Sequence, residues 1–201
     1  MRIGPRFNAA CRPPSINDIP LNWVLNTTFL GISLCSSHCF KCDWSNSKKN
    51  FFSSVNAIIG RLGTSAPLSV LLKLINSIGT PSLLYGISVT NLSKSDLLSL
   101  KFAYDSVYHK LFKSFDKNVI LQCQYFSGYL PFDILFDLYR VLFLSKLVNA
   151  NLLVDNYNLD RSDFSDYVAL MTKYHINSTD SKHAIKRKMW SAFSDLINNI
   201  V

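Results

Sequence analysis

Ser93-Lys94-Ser95-Asp96-Leu97-Leu98-Ser99-Leu100-Lys101-Phe102-Ala103-Tyr104-Asp105-Ser106-Val107-Tyr108-His109-Lys110-Leu111-Phe112-Lys113-Ser114-Phe115 carries the clearest period in the chain. Leu97, Leu100, Tyr104, Val107, Tyr108, Leu111 and Phe112 recur at three and four residues and so share one side of an α-helix. Lys94, Lys101, Lys110 and Lys113 decorate the other side. Ser93 with Asp96 three residues on resembles a capping box, Asp standing in for the usual Glu. The spacing therefore predicts a helix from about Ser93 to Phe115.

Working outward, the same period governs most of the chain. Trp44, Phe51, Phe52, Val55, Ile58, Ile59 and Leu62 form an apolar stripe that stops at Gly63. A second helix is predicted from Pro67 to Ile78, ending at Gly79, and Pro81 opens another short apolar segment through Val89. Downstream, Val119–Phe126 and Pro131–Val148 continue the pattern; the latter is apolar almost all round and so should be deeply buried. From Asp155 the chain is more polar, with helical runs near Phe164–Met171 and Ala184–Ile200.

The amino-terminal 34 residues read differently. Met1–Phe7, Leu21–Leu25 and Thr28–Leu34 are short apolar or β-branched runs broken by Gly and Pro, which predicts strands. The fold class that follows is α+β and mostly α: a few short antiparallel strands at the N-terminus, then a bundle of about six to eight helices.

Composition bounds the function. With 201 residues, 48% of them hydrophobic, the chain can bury a core. The net charge of +8 is uneven: residues 1–60 hold six basic and two acidic groups, residues 61–120 seven and three, and residues 121–201 eight of each. The excess in the first 120 residues suits a polyanionic partner, although such a charge also serves plain solubility. Every acidic residue is Asp. Five cysteines, an odd number without a leading signal peptide, point to a reducing intracellular compartment, nucleus or cytoplasm. The one candidate membrane span, Ala66 to Val89, is divided by Gly79-Thr80-Pro81 into pieces shorter than the roughly 20 residues a span needs, so no membrane partner is expected.

Ile58-Ile59-Gly60-Arg61-Leu62-Gly63, Leu71 to Ile75, Pro81-Ser82-Leu83-Leu84-Tyr85-Gly86 and Phe29-Leu30-Gly31-Ile32, read with the opening Met1-Arg2-Ile3-Gly4-Pro5-Arg6-Phe7, form an ordered set. Together they resemble the region after the active site in reverse transcriptases of non-LTR, jockey-like retrotransposons, over roughly residues 1–147. The resemblance implies three parts: residues 1–42 as the last palm strands with a primer-supporting hairpin, 43–150 as a helical thumb, and 151–201 as a helical extension. It implies an RNA-directed DNA polymerase whose catalytic part precedes Met1. The Phe/Tyr-x-Asp-Asp motif that holds two metal ions in such enzymes is absent, so no catalytic residue and no metal site is expected here. Magnesium belongs to the full parent enzyme. The implied partners are an RNA–DNA or RNA template–primer duplex and the preceding polymerase domains.

Residue by residue, Phe29, Leu30 and Gly31 match the hairpin that supports the primer end; Gly lets a backbone approach nucleic acid closely. In the thumb, Lys41, Lys48, Lys49 and Arg61 are the expected phosphate contacts, because such contacts need only cations along one face. Lys94 and Lys101 are secondary candidates. Each residue has a plainer role open to it, Gly31 within an ordinary strand and each Lys on a solvated surface.

Cys35, His38, Cys39 and Cys42 invite a zinc reading, but all four fall within eight positions instead of two separated pairs, which favours a loop between hairpin and helix. Lys186-Arg187-Lys188 beside His183 reads either as an RNA-contact or import patch or as a solvated helix face. Two other functions stay open: a domesticated or decayed nucleic-acid-binding module, and a helical module that binds another protein through the apolar helices between Pro67 and Val148.

Overall fold

A computed structural model describes residues 1–63, 66–90, 92–149 and 161–200. The expected division at residue 150 and the start of the polar segment at Asp155 lie outside the described residues. Among the described residues the architecture is mostly helical, with two small antiparallel sheets near the N-terminus.

Strands β1 (Ser15–Ile16) and β2 (Ile19–Pro20) make a minimal hairpin. Strands β3 (Asn26–Phe29), β4 (Ile32–Cys35) and β5 (Lys41–Asp43) form a meander in that order. The strands expected at Met1–Phe7 and Leu21–Leu25 are not formed. Ile3 makes one isolated bridge to Ser37, and residues 21–24 are irregular. Their apolar side chains have no sheet to join: Leu21, Val24 and Leu25 stay exposed.

Helix α1 (Ser45–Leu62) follows β5 directly. Its first residue has a surrogate cap, since the Ser45 backbone N–H donates to Asp43 Oδ1 at 2.9 Å. The stripe predicted for this helix buries Trp44, Phe51 and Val55 and half-buries Ile58, Ile59 and Leu62, but Phe52 lies at the edge of the stripe and is exposed.

The stop expected at Gly79 does not occur. Helix α2 (Leu68–Leu74) runs without interruption through a π-helical turn (Ile75–Gly79) into α3 (Thr80–Leu84). Pro81 cannot donate the bond an α-helix requires at that point. The wider turn absorbs the missing donor, with the Thr80 N–H reaching Ile75 O. Gly79 is buried there, and a Cβ on it would touch Phe51 and Val55 at 3.5 Å.

Helix α4 (Lys94–Phe112) has the predicted cap: the Asp96 N–H donates to Ser93 Oγ at 3.1 Å. It ends at Lys113 in a left-handed conformation, slightly before the expected Phe115. Helices α5 (Lys117–Phe126), α6 (Phe132–Asn149), α7 (Arg161–Lys173) and α8 (Lys182–Asn198) complete the chain.

Two apolar clusters hold these elements. The first joins the sheet and α1 to α2, α3 and α4 through Phe51, Leu72, Leu83, Leu100 and Tyr104, and reaches Phe132. The second sets Ile134, Leu138 and Val141 of α6 against Ile185, Met189, Phe193 and Ile197 of α8. Truncating a fully buried phenylalanine such as Phe51 or Phe193 would cost about 3–5 kcal/mol. Cys42 of β5 and Trp44 pack with α1, and α6 shares its core with α8.

Candidate nucleic-acid interface

Phe29 and Ile32 are the last paired residues of the β3–β4 hairpin, so Leu30 and Gly31 are its two-residue turn. Both have positive φ, 46° and 79°, as a type I′ turn requires. Gly31 adopts this freely; for Leu30 it costs about 1 kcal/mol. The Tyr85 hydroxyl, from the segment after α3, donates to Leu30 O at 2.9 Å. Beside it Gly86, at φ 78°, brings its backbone so close to the hairpin that a Cβ would sit 2.6 Å from Ile32 Cδ1.

The four residues Phe29 to Ile32 are therefore the closed end of a hairpin seated on Tyr85-Gly86. Ile32 and Leu34 face the first core, while Phe29 and Leu30 remain 63% and 72% exposed. A strand centred on Gly31, the reading from residues 28–34 alone, is replaced by two strands and a turn.

The cations are spread more widely than one face. Lys41 projects from β5, exposed. Lys48 is half-buried because it lies toward the core side of α1, and its Nζ donates to Ser99 Oγ of α4 at 2.7 Å. Lys49 and Arg61 are exposed, but twelve residues of helix separate them, about 18 Å along the axis and about 120° around it. Asp43 sits between Lys41 and Lys48; its carboxyl is held below the usual range by the hydroxyl and N–H of Ser45, with the two cations adding to the effect. Of the secondary pair, Lys101 is tied to Asp133 of α6, and Lys94 is exposed at the start of α4.

Among the described residues, no group of three or more His, Cys or acidic side chains is placed to hold a metal. Cys42 is buried within the sheet–α1 core, and burial, with Cys35 nearby, pushes its thiol up, which disfavours the thiolate a zinc ion requires. His38 lies against Cys39 alone, Nδ1 to Sγ at 3.4 Å. No helix among the described residues is long and apolar enough to cross a membrane. The Lys186-Arg187-Lys188 triplet is divided: Lys188 is held by Asp180 at 2.5 Å and by His175 O at 2.8 Å, whereas Lys186 and Arg187 line a cleft.

Comparison with protein-family models, with curated proteins and with solved structures found no match.

Proposed function

We propose that the chain is the carboxy-terminal part of an RNA-directed DNA polymerase of the non-LTR retrotransposon kind, and that its share of the work is to hold a template–primer duplex. The observation that carries the reading is the strained Leu30-Gly31 tip. A non-glycine residue at positive φ in the turn, its carbonyl bonded by a hydroxyl 55 residues away, is the sort of local cost that functional sites retain. Two of the motifs behind the family resemblance, Phe29–Ile32 and Pro81–Gly86, meet at that contact. The exposed cations Lys41, Lys49 and Arg61 supply phosphate contacts on either side of α1. Magnesium belongs to the full enzyme, whose Phe/Tyr-x-Asp-Asp motif is not in this sequence. No catalytic step is assigned to this chain.

Titration of the purified chain with an RNA–DNA hybrid duplex at two salt concentrations tests the proposal. The expected result is salt-sensitive binding whose log–log salt slope falls by about one for each of Lys41, Lys49 and Arg61 replaced by Ala. Lys48 is kept out of this set because its loss also removes the bond to Ser99. Binding indifferent to all three substitutions would sink the reading.

A second reading, a protein-interaction module, is favoured by one observation: Ile16, Ile19, Leu25, Phe29, Leu30 and Phe40 are all exposed in the first 40 residues. Sedimentation of the isolated chain checks it, because a monodisperse monomer that binds no apolar dye would speak against it.

A further inference from the structure

The two apolar clusters do not meet flush. Between them, bounded by the π-helical turn, α4, the α5–α6 connection and α8, lies a cleft of about 460 Å³. Its floor comes from the first cluster and its rim from α8.

The floor is polar and directional. Leu130 O can only accept, so the Tyr104 hydroxyl donates to it, at 3.0 Å. The Tyr108 hydroxyl, 3.0 Å from that of Tyr104, must then donate to Tyr104, and it accepts in turn from Asn76 Nδ2 at 3.3 Å. Asn76 spends its other amide hydrogen on Leu72 O at 2.9 Å, and its Oδ1 accepts from Thr80 Oγ1 at 3.2 Å. Burial pushes both tyrosines up, Tyr108 to about 12, so the hydroxyls stay protonated and the direction of the chain is fixed. The side-chain donors of Asn76, Thr80, Tyr104 and Tyr108 are thus all used among themselves and on the backbone. What these four residues offer a ligand is acceptor capacity on Thr80 Oγ1. Asn76 lies in the π turn and Thr80 directly after it, one above the other as residues four apart on a helix are, and π turns recur at functional sites.

The walls and rim ask for something different. Tyr129, Tyr139 and Trp190 line the cleft, and the Trp190 indole is held by a stack on Tyr125 with ring centroids 5.6 Å apart and planes 13° apart. Lys186 and Arg187, both exposed, stand at the rim; Lys186 has no ion-pair partner among the described residues, and no acidic side chain among them lines the cleft. An anion at the rim, a flat ring against the aromatic walls and a hydrogen-bond donor toward the floor describe one chemical class.

We infer that this cleft takes a nucleoside phosphate whose base carries an exocyclic amine, the phosphate lying between Lys186 and Arg187. The inference does not depend on the hairpin and α1 surface. The same chemistry comes from two sources, a free nucleotide or one unit of a single strand, and the test separates them.

The experiment is calorimetric titration of the full chain with AMP, with adenosine, and with a short single-stranded oligoadenylate, alongside tryptophan fluorescence of the wild type and of Trp190→Phe. Binding of AMP or of the oligonucleotide, weakened roughly tenfold or more by Lys186→Ala with Arg187→Ala, is the expected result, since each charged contact to phosphate is worth a factor of that order. The fluorescence change should vanish in Trp190→Phe, and Lys182→Ala on the same helix should leave binding unchanged. Preference for AMP identifies a nucleotide site, and preference for the oligonucleotide a single-strand site. The inference is overturned if neither probe binds at millimolar concentration, if adenosine binds as tightly as AMP, or if binding survives loss of both cations.

Discussion

The Tyr85 hydroxyl donates to Leu30 O at 2.9 Å and is the described side-chain bond between the segment after α3 and the hairpin turn. Tyr85→Phe keeps the ring, which lies 3.4 Å from where a Cβ on Gly31 would be, and removes only this bond. The expected loss is about 1 kcal/mol by urea denaturation. Faster amide exchange confined to Leu30 through Ile32 should accompany it. A uniform change across the chain would mean that the bond is not local to the turn.

Gly86 is the reciprocal case. At φ 78° a side chain is strained, and a Cβ would drive into Ile32 Cδ1 at 2.6 Å. Gly86→Ala should destabilise by about 1–3 kcal/mol. Shortening the neighbour with Ile32→Val removes the clashing atom, so the double variant should lose less than the two single losses added together. Strict additivity in thermal melts would show that the cost is backbone strain alone.

Arg140 is 5% exposed on α6, donating to Ser88 O at 2.8 Å and paired with Asp163 and, at 3.5 Å, with Asp166. It ties the segment after α3 to α7. Arg140→Ala leaves a part-buried carbonyl and two partly exposed carboxylates without their cation, and should cost about 1–3 kcal/mol. Arg140→Met, which refills the volume, should cost distinctly less in the same chemical denaturation experiment if desolvation offsets much of the pair's attraction.

Asp105, on α4, has its carboxyl pushed up chiefly by burial and further by Asp133, against the opposing pull of Lys101, His109 and the Gln124 amide. Its folded pKa therefore exceeds its unfolded value, and the folded state holds the proton longer. Stability contributed by the neutral acid is fully present below the ordinary aspartate value of about 3.9 and is lost as pH rises through the folded pKa. Asp43 and Asp180 act in the opposite sense: lowered by Ser45 and by Lys188, they add stability above that ordinary value and lose it as pH falls. Asp105→Asn should accordingly raise the melting temperature at neutral pH and flatten the decline on the alkaline side of pH 4, leaving the acid limb unchanged. An unaltered profile above pH 4 would refute the assignment.

The helices were readable because an apolar stripe over the 18 residues of α1 or the 19 of α4 repeats the helical period about five times. Strands of two to four residues span at most two repeats of theirs, which is why Met1–Phe7 and Leu21–Leu25 misled. Gly79 and Pro81 carried the usual marks of a break, and only the packing of Gly79 on Phe51 and Val55 shows why the helix continues. In the candidate interface, Phe29–Ile32 stood out from sequence, but its seat on Tyr85 depends on a contact 55 residues away that no local pattern encodes. The scatter of Lys48, Lys49 and Arg61 was already implicit in the 100° step of a helix. The cleft was legible only as a basic triplet, because its floor and the walls made by Tyr129 and Tyr139 come from segments far from α8.

The π turn holds one residue more than a regular helical turn would. Winding the same residues as an ordinary α-helix instead would turn everything after Gly79 by about 100° relative to α2. Leu71 and Leu72 would keep their places while Leu83, Leu84 and Tyr85 swung away from theirs. The π turn, by taking up the surplus residue, thus sets the rotational phase between the two ends of one rod, so that the end carrying Tyr85 meets the hairpin while the other stays in register with α1. In this fold the wide turn is a timing device, and regular winding of the same residues would be felt as a misaligned hairpin long before it was felt as a broken helix.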